Sequence, residues 1–220
     1  MRIGGLAMLV ERAVDRSPSP AIRRHRAAIT LGALREDVAY LPGLRRPFEH
    51  LSLSHFWGPG RPGGFVPLWP SARTMADRHF TRAVKRWRRG DHAAGCVELG
   101  RVTHLVADMA CPVHVHRVVH DGDGYEWFVE SHLEELGALP ASPPPSVRRA
   151  SDVIASLATF THAFPADRTQ HAIGRWLVRN KLARSLPQSE IRRAARAIIP
   201  VAIAHVTALL ALYAETVECP

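Results

Sequence analysis

The sequence predicts an all-α protein, a multi-helix bundle forming a single domain over residues 1–220, and three observations predict it. The composition is tilted toward Ala, Leu, Arg and Val, residues that together favour helices. Apolar residues recur at helical spacing along most of the chain, whereas the alternation typical of a half-buried strand is nearly absent. A chain of 220 residues buries enough apolar surface without disulfides, and its three widely spaced cysteines do not form a disulfide pattern.

The first predicted helix lies at the N-terminus, where Leu6, Leu9, Val10, Ala13 and Val14 share one face. Proline and glycine delimit the later helices, because proline cannot continue a helix and glycine favours turns. Those helices are predicted over 21–34, 72–88, 92–109, 125–136, 147–161, 170–184 and 189–217. Residues 41–72 are dense in Pro and Gly and are predicted as an irregular segment laid across one end of the bundle.

The charge balance is basic, with 29 Lys and Arg against 20 Asp and Glu and a net charge of +9. Such an excess attracts phosphate-bearing partners such as lipid headgroups, nucleic acid or a phosphorylated small molecule. A GC-rich genome would produce the same excess of Arg, so charge alone does not choose among these partners. The apolar start of the chain has a short core and no clear small-residue cleavage site, and it is not interpreted as a signal peptide.

Residues 101–116, "RVTHLVADMACPVHVH", gather potential metal ligands. His104 and Asp108 are four residues apart and therefore share a helix face. Asp108 falls at the C-terminal end of its helix, where the macrodipole disfavours a carboxylate unless a cation lies nearby. The turn at Pro112 brings His114 back toward the same helix end. Cys111 could serve as a soft ligand, although such a cysteine is more often a small buried hydrophobe.

Other candidate ligands lie before and after this stretch. Asp123 and Glu126, in "DGDGYEWFVE", fit a capping box, and Asp123 can cap a helix while Glu126 turns inward. Glu36 and Asp37 come at the end of the second predicted helix, and His55 lies in the irregular segment. Taken one at a time, these upstream residues are more often solvated than metal-bound.

The order of these motifs resembles the zinc-dependent phospholipase C family. The matching features are Asp37, "SHFW", His104-x3-Asp108, Pro112-x-His114 and "YEWFVE", over roughly residues 27–130. Single-strand-specific zinc nucleases share the fold of this family. The resemblance implies an all-α bundle that holds up to three zinc ions at one end of its helices, with the irregular Pro/Gly-rich segment at that metal-bearing end.

By this resemblance, Asp37, His55, His104 and Asp108 would surround one zinc ion. Asp108 would also bridge to a second metal, held by His114 and Glu126. Asp37 could alternatively orient the attacking water, and it is the predicted catalytic residue. Clustered zinc ions suit phosphoester hydrolysis because they acidify a water molecule and neutralise phosphate charge. The implied function is a phospholipase C-type phosphodiesterase.

The sequence departs from the family pattern at a ligand position. The family pairs its Glu with a His four residues earlier, and here that position is Gly122. Asp123 is the first predicted substitute and His120 the second, and His116 and Asp121 also lie nearby.

A second departure concerns the third zinc ion. The family binds it through an N-terminal Trp and a His on the first helix, and neither residue type precedes His25. Two zinc ions are therefore predicted, and a third would require the given start to be too late. Family members are usually secreted, so the protein is expected to be either cytoplasmic or secreted with a wrongly set start.

Three alternative functions remain open at this stage. One is a single-strand nuclease of the same fold, and another is a metal-binding relative that has lost turnover, as Gly122 and the missing N-terminal ligands would suggest. The third is a helical nucleic-acid binder that holds no metal. The predicted partners are a phospholipid or other phosphodiester substrate and an anionic membrane surface, with nucleic acid less favoured. The protein is predicted to be a monomer.

Overall fold

The computed structural model describes residues 1–38, 56–58, 70–118, 123–140, 142–167, 176, 180 and 185–218, without the side chains of 36–38. The elements in this part of the chain are ten α-helices, which confirms the predicted all-α class. They are α1 (Ile3–Asp15), α2 (Pro20–Arg24), α3 (Arg26–Val38), α4 (Ala72–Arg88), α5 (His92–Asp108), α6 (Pro112–Val115), α7 (Gly124–Ser131), α8 (Leu133–Gly137), α9 (Ala150–Thr161) and α10 (Gln188–Glu218).

Several predicted helices agree closely with the structure. Helix α4 coincides with the prediction over 72–88, and α5 ends one residue before the predicted 109. In α1 the predicted apolar face is buried, as Leu6, Leu9, Val10, Ala13 and Val14 all lie in the core. The prediction over 170–184, apart from residues 176 and 180, and most of the irregular segment over 41–72 fall outside the described residues.

Two predicted helices are each divided in the structure. The helix predicted over 21–34 breaks at His25, which leaves helical geometry and packs its ring edge-on against Trp87. The helix predicted over 125–136 breaks at His132, whose Nδ1 donates a hydrogen bond to the Phe128 carbonyl at 2.8 Å. In both cases a histidine side chain makes a contact that the apolar periodicity does not reveal.

Helix α10 forms the centre of the core. It is the one helix in the described ranges whose length and mean hydropathy would allow it to cross a membrane, and 78% of its most apolar window is buried inside the protein. It packs against α1, α9 and α7. Burial of this window accounts for its apolar composition.

Helices α3 and α5 touch backbone to backbone at two glycines. A Cβ atom at Gly100 would collide with the carbonyl oxygen of Ile29, and one at Gly32 would collide with the carbonyl oxygen of Val97. Only glycine permits this approach, because any side chain would separate the two helices. The close crossing brings the last turns of α3 beside the C-terminal half of α5.

The Glu130 side chain on α7 hydrogen-bonds to the backbone of the first turn of α1. Its carboxylate oxygens accept hydrogen bonds from the backbone amides of Gly4 at 3.2 Å and Gly5 at 2.9 Å. These amides have no partner within their own helix, and a negative charge is favourable at a helix N-terminus. Glu130 therefore fixes where the N-terminal residues lie.

Glu130→Ala is expected to lower the free energy of unfolding by about 2 kcal/mol, because hydrogen bonds to a charged acceptor contribute on that order. Urea denaturation followed by circular dichroism measures the change. Glu134→Ala, at an exposed position on α8, is the matched control and should leave the midpoint almost unchanged. Equal midpoints for the two variants would contradict the role given to Glu130.

Candidate metal centre

The C-terminal end of α5 supplies the first two ligand candidates, His104 and Asp108, both buried. His104 Nδ1 donates a hydrogen bond to the carbonyl oxygen of Ala33 at 2.9 Å. Because a carbonyl oxygen only accepts, Nδ1 carries the proton, and the lone pair of a neutral imidazole is then on Nε2. Nε2 lies 3.2 Å from Asp108 Oδ2, so α3 orients His104 toward the carboxylate.

The short helix α6 brings His114 to the other oxygen of Asp108. Pro112 occupies its first turn, and His114 Nε2 lies 3.9 Å from Asp108 Oδ1. The Phe56 ring stacks on the His114 ring at 5.7 Å, and the Trp57 amide donates to the His114 carbonyl at 3.3 Å. Each carboxylate oxygen of Asp108 therefore faces a different histidine, which is the arrangement a bridging carboxylate requires.

The first turn of α7 contributes a second buried carboxylate, that of Glu126. Asp123 caps this helix, since its Oδ1 accepts a hydrogen bond from the Glu126 amide at 2.7 Å, which confirms the predicted cap. A further buried carboxylate, that of Asp167, packs so closely on Gly124 that a Cβ there would lie 2.7 Å from Asp167 Oδ2. The start of α7 is thus lined by buried acidic groups.

The amino group of Met1 lies inside the cluster. Its nitrogen is 3.1 Å from Asp108 Oδ1 and 3.0 Å from Glu126 Oε1. A positive charge thus contacts carboxylates from two different helices. Its position follows from the path of α1, and Glu130 helps to set that path.

Cys111 is a further ligand candidate in the same cluster. One potential ligand atom from each of Cys111, His114 and Glu126 lies within 4.8 Å of the other two, and all three residues are buried. Burial raises the pKa of the Cys111 thiol well above its ordinary value; the Met1 amino group lowers it, and the nearby carboxylates raise it further. The sequence offered a hint in the Cys-Pro-x-His spacing, but it did not choose between a ligand and a core residue.

Tyr125 presents a polar atom to this region. Its hydroxyl is buried and has no hydrogen-bond partner among the residues that the structure describes. Burial raises the pKa of Tyr125, and Cys111, Asp123 and Glu126 raise it further through their charges. The hydroxyl is therefore electrostatically coupled to the cluster. Tyr125 is the first residue of the "YEWFVE" motif, but it is not a predicted zinc ligand.

The predicted ligands His104, Asp108, His114 and Glu126 thus come together in one buried cluster, with Asp123 capping the helix that carries Glu126. Whether Asp123 also binds metal stays a prediction. His116, a suggested substitute for the family His, makes contacts elsewhere: its Nε2 donates to the Phe164 carbonyl at 2.8 Å. The remaining predictions, on the Asp37 side chain, His55, His120, Asp121 and Gly122, lie outside the described residues.

The donor set of the cluster fits zinc. Imidazole nitrogen, carboxylate oxygen and cysteine sulfur are the three donor types that zinc accepts in proteins. Burying carboxylates such as those of Asp108, Asp123 and Glu126 is stabilised by accompanying cations.

Comparison with known proteins supports the resemblance found in the motifs. No family model matches the sequence. A phospholipase C from Listeria monocytogenes is 24% identical over 86 residues, which cover 38% of this chain and 30% of that protein. The resemblance to the zinc-dependent phospholipase C family is confirmed at this level.

Two solved structures have a similar fold. The alpha-toxin of Clostridium perfringens from an avian strain matches with a TM-score of 0.68 and 14% identity, covering 98% of this chain and 64% of the toxin chain. The alpha toxin from Clostridium absonum matches with a TM-score of 0.64 and 15% identity, covering 99% of this chain and 66% of the toxin chain. The chain therefore spans about two thirds of the length of these toxins and shares their all-α fold.

Proposed function

We propose that the protein is a metal-dependent phosphoester hydrolase of the phospholipase C type, with zinc at the C-terminal end of α5 and phospholipid as its substrate. One observation carries the proposal. His104 and Asp108 on α5, His114 on α6 and Glu126 on α7 converge in a single buried cluster. The similarity to a phospholipase C over 86 residues supports the same reaction class.

The cluster would hold two zinc ions. His104 and Asp108 would bind the first, together with Asp37 and His55 as the motifs imply. His114 and Glu126 would bind the second, with Asp108 shared between them. Zinc bound here would acidify a water molecule and neutralise negative charge on the phosphate oxygens.

The residues of the chain orient and shield this chemistry. The Ala33 carbonyl holds the Nδ1 proton of His104, which keeps Nε2 as the ligand nitrogen. The Phe56 ring covers one face of His114 and excludes water from it. Asp37 is four residues beyond Ala33 on α3, so its position lies on the same helix face. In the alternative role that the motifs allow, Asp37 would orient the attacking water instead of binding zinc.

Exposed apolar side chains beside the cluster favour lipid over nucleic acid. Ile3 and Trp127 are each 51% exposed, and they lie within two residues of Met1 and Glu126 respectively. The Arg2 guanidinium lies 3.5 Å from the centre of the Trp127 ring, so one face of the ring is covered. The covered face of Trp127 cannot stack on a base, whereas an aliphatic side chain such as Ile3 suits an acyl chain.

Chelation is expected to abolish hydrolysis of phosphatidylcholine vesicles, and added zinc is expected to restore it. Phosphocholine release and zinc content are measured on the same purified sample, and a soluble phosphodiester and single-stranded DNA are assayed alongside. Unchanged turnover after zinc removal would contradict the proposal. Cleavage of DNA alone would favour a nuclease, and bound zinc without turnover on any substrate would favour a non-catalytic relative.

A further inference from the structure

We propose that Cys111 is a metal ligand, and that its thiolate completes the site formed by His114 and Glu126. This inference rests on the proposed function, because it assigns a donor to the same metal centre. By the family motif that site is one ligand short, since Gly122 stands where a histidine is expected. Cys111 is a donor already positioned inside the cluster.

The distances suit shared coordination of one ion. Cys111 Sγ lies 3.8 Å from Glu126 Oε1, and a ligand atom of His114 lies within 4.8 Å of both. Zinc–sulfur and zinc–oxygen bonds of about 2.3 and 2.1 Å at a tetrahedral angle place the two donor atoms about 3.6 Å apart. A shift of a few tenths of an ångström therefore turns the observed contact into a pair of ligands.

The backbone explains why this sulfur is in place. Cys111 is the residue immediately before α6, and His114 follows it within the same turn, with the His114 amide donating to the Cys111 carbonyl at 3.1 Å. Pro112 fixes the first turn of α6 and so limits how the two donors move relative to each other. The local structure thus presents a thiol and an imidazole together.

The Tyr125 hydroxyl gives an independent indication that the cluster binds a ligand. This side chain is 2% exposed, and its hydroxyl makes no hydrogen bond in the described part of the chain, although the charges of Cys111, Asp123 and Glu126 act on it. A buried hydroxyl without a partner costs free energy. If Cys111 is bound as a thiolate, its sulfur would carry a negative charge that can accept a hydrogen bond from this hydroxyl, as metal ligands accept from the groups that support them.

Cys96 is the natural contrast within the same helix bundle. It is also buried, and burial raises the pKa of its thiol to about 12. Within the described residues, however, Cys111 lies close to the ligand atoms of His114 and Glu126, and Cys96 belongs to no such group. Burial therefore does not distinguish the two cysteines, whereas the neighbouring imidazole and carboxylate do.

Thiolate ligation has a chemical consequence for metal choice. As the metal–sulfur bond forms, the Cys111 thiol releases its proton to solvent, so binding becomes pH-dependent. A sulfur donor selects zinc and other soft or borderline cations over magnesium and calcium, which prefer oxygen. The Cys111 side chain would thereby bias the site toward zinc.

Cobalt substitution tests the inference by a readout other than activity. The protein is loaded with Co²⁺ in place of zinc, as the wild type, as Cys111→Ser and as the double variant Cys96→Ser/Cys219→Ser. A sulfur-to-cobalt charge-transfer band in the near ultraviolet is expected in the wild type and in the double variant. Cys111→Ser is expected to lose the band and to bind zinc about 10²-fold more weakly, whereas Cys111→His should recover affinity without the band.

The possible outcomes separate this inference from the proposed function. Cobalt bound without the band, or a band that persists in Cys111→Ser, would overturn thiolate ligation and leave the hydrolase proposal standing. If Cys111→Ser does not fold, the double variant Cys96→Ser/Cys219→Ser shows whether a thiolate binds the metal. Cys111 is the remaining thiol in that variant, so a missing band there would overturn the inference. Failure of the wild type to bind either zinc or cobalt would overturn both the metal-dependent function and this inference.

Discussion

Asp108→Asn is expected to remove bound metal and to abolish most phosphodiester hydrolysis. Asp108 is the residue on which the cluster converges: its Oδ2 faces His104 and its Oδ1 faces both His114 and the Met1 amino group. A carboxamide has no negative charge and cannot bridge two cations. Losing about 4 kcal/mol of transition-state stabilisation, the order that metal ions supply, corresponds to a drop of about 10³-fold in turnover.

Asp91→Asn is the matched control, because it makes the same chemical change at the opposite end of α5. Asp91 caps the start of that helix, accepting a hydrogen bond from the Ala94 amide, and asparagine caps almost equally well. The two positions are separated by about 25 Å of helix. Zinc content and turnover should stay near wild type in Asp91→Asn, and Asp108→Asn that keeps its zinc and its rate would refute the bridging role.

Gly100→Ala is expected to lower the free energy of unfolding by about 3 kcal/mol through overpacking. In an open helix this substitution would stabilise the protein by up to about 1 kcal/mol, because alanine is the better helix former. Here the added Cβ would collide with the Ile29 carbonyl oxygen and meet the backbone of Ala33 and Gly32. Backbone atoms cannot move aside as a side chain can. The clash therefore outweighs the gain in helix propensity, and the substitution lowers the free energy of unfolding.

The effect of Gly100→Ala should reach the metal centre as well. Separating α3 from α5 would lengthen the hydrogen bond between Ala33 and His104, and zinc affinity should fall together with the midpoint of thermal unfolding, by about 9 °C for a chain of this size. Gly137→Ala is the control, because its nearest new neighbour is the flexible Arg12 side chain at 3.1 Å. A Gly100→Ala variant as stable as wild type would show that the two backbones do not touch.

Much of the fold could be predicted from periodicity because several of its helices, such as α1 and α4, are long and have one apolar face. Helices α4 and α5 have proline, glycine or capping residues at their ends, and their bounds agree with the prediction to within one residue. The breaks at His25 and His132 could not be predicted, since each depends on what the histidine ring contacts. The spacing of apolar residues indicates which positions are buried, but it does not indicate which group a histidine ring will contact.

The candidate site likewise has some features that the local sequence predicts and others that depend on distant segments. The i, i+4 spacing of His104 and Asp108 and the cap at Asp123 are local features, and both are present in the structure as the sequence predicts. Two other parts of the site come from distant segments: the Ala33 carbonyl on His104, 71 residues away, and the Met1 amino group on Asp108, 107 residues away. The Ala33 carbonyl has no sequence signature, because backbone carbonyls look alike at every position, and nothing in the local sequence indicates that Met1 reaches Asp108.

By itself the sequence determined the helical class, the end of α5 as a ligand-rich place, and the resemblance to a zinc-dependent family, since each depends on residue type and short spacing. Only the tertiary structure shows which donor atoms lie within a few ångströms of one another. It places Cys111 among them and Tyr125 close enough to interact with their charges. The physical reason is that coordination depends on distances of a few ångströms between segments. Those distances are set by packing, here by the contact between Gly32 and Gly100 and by the path of α1.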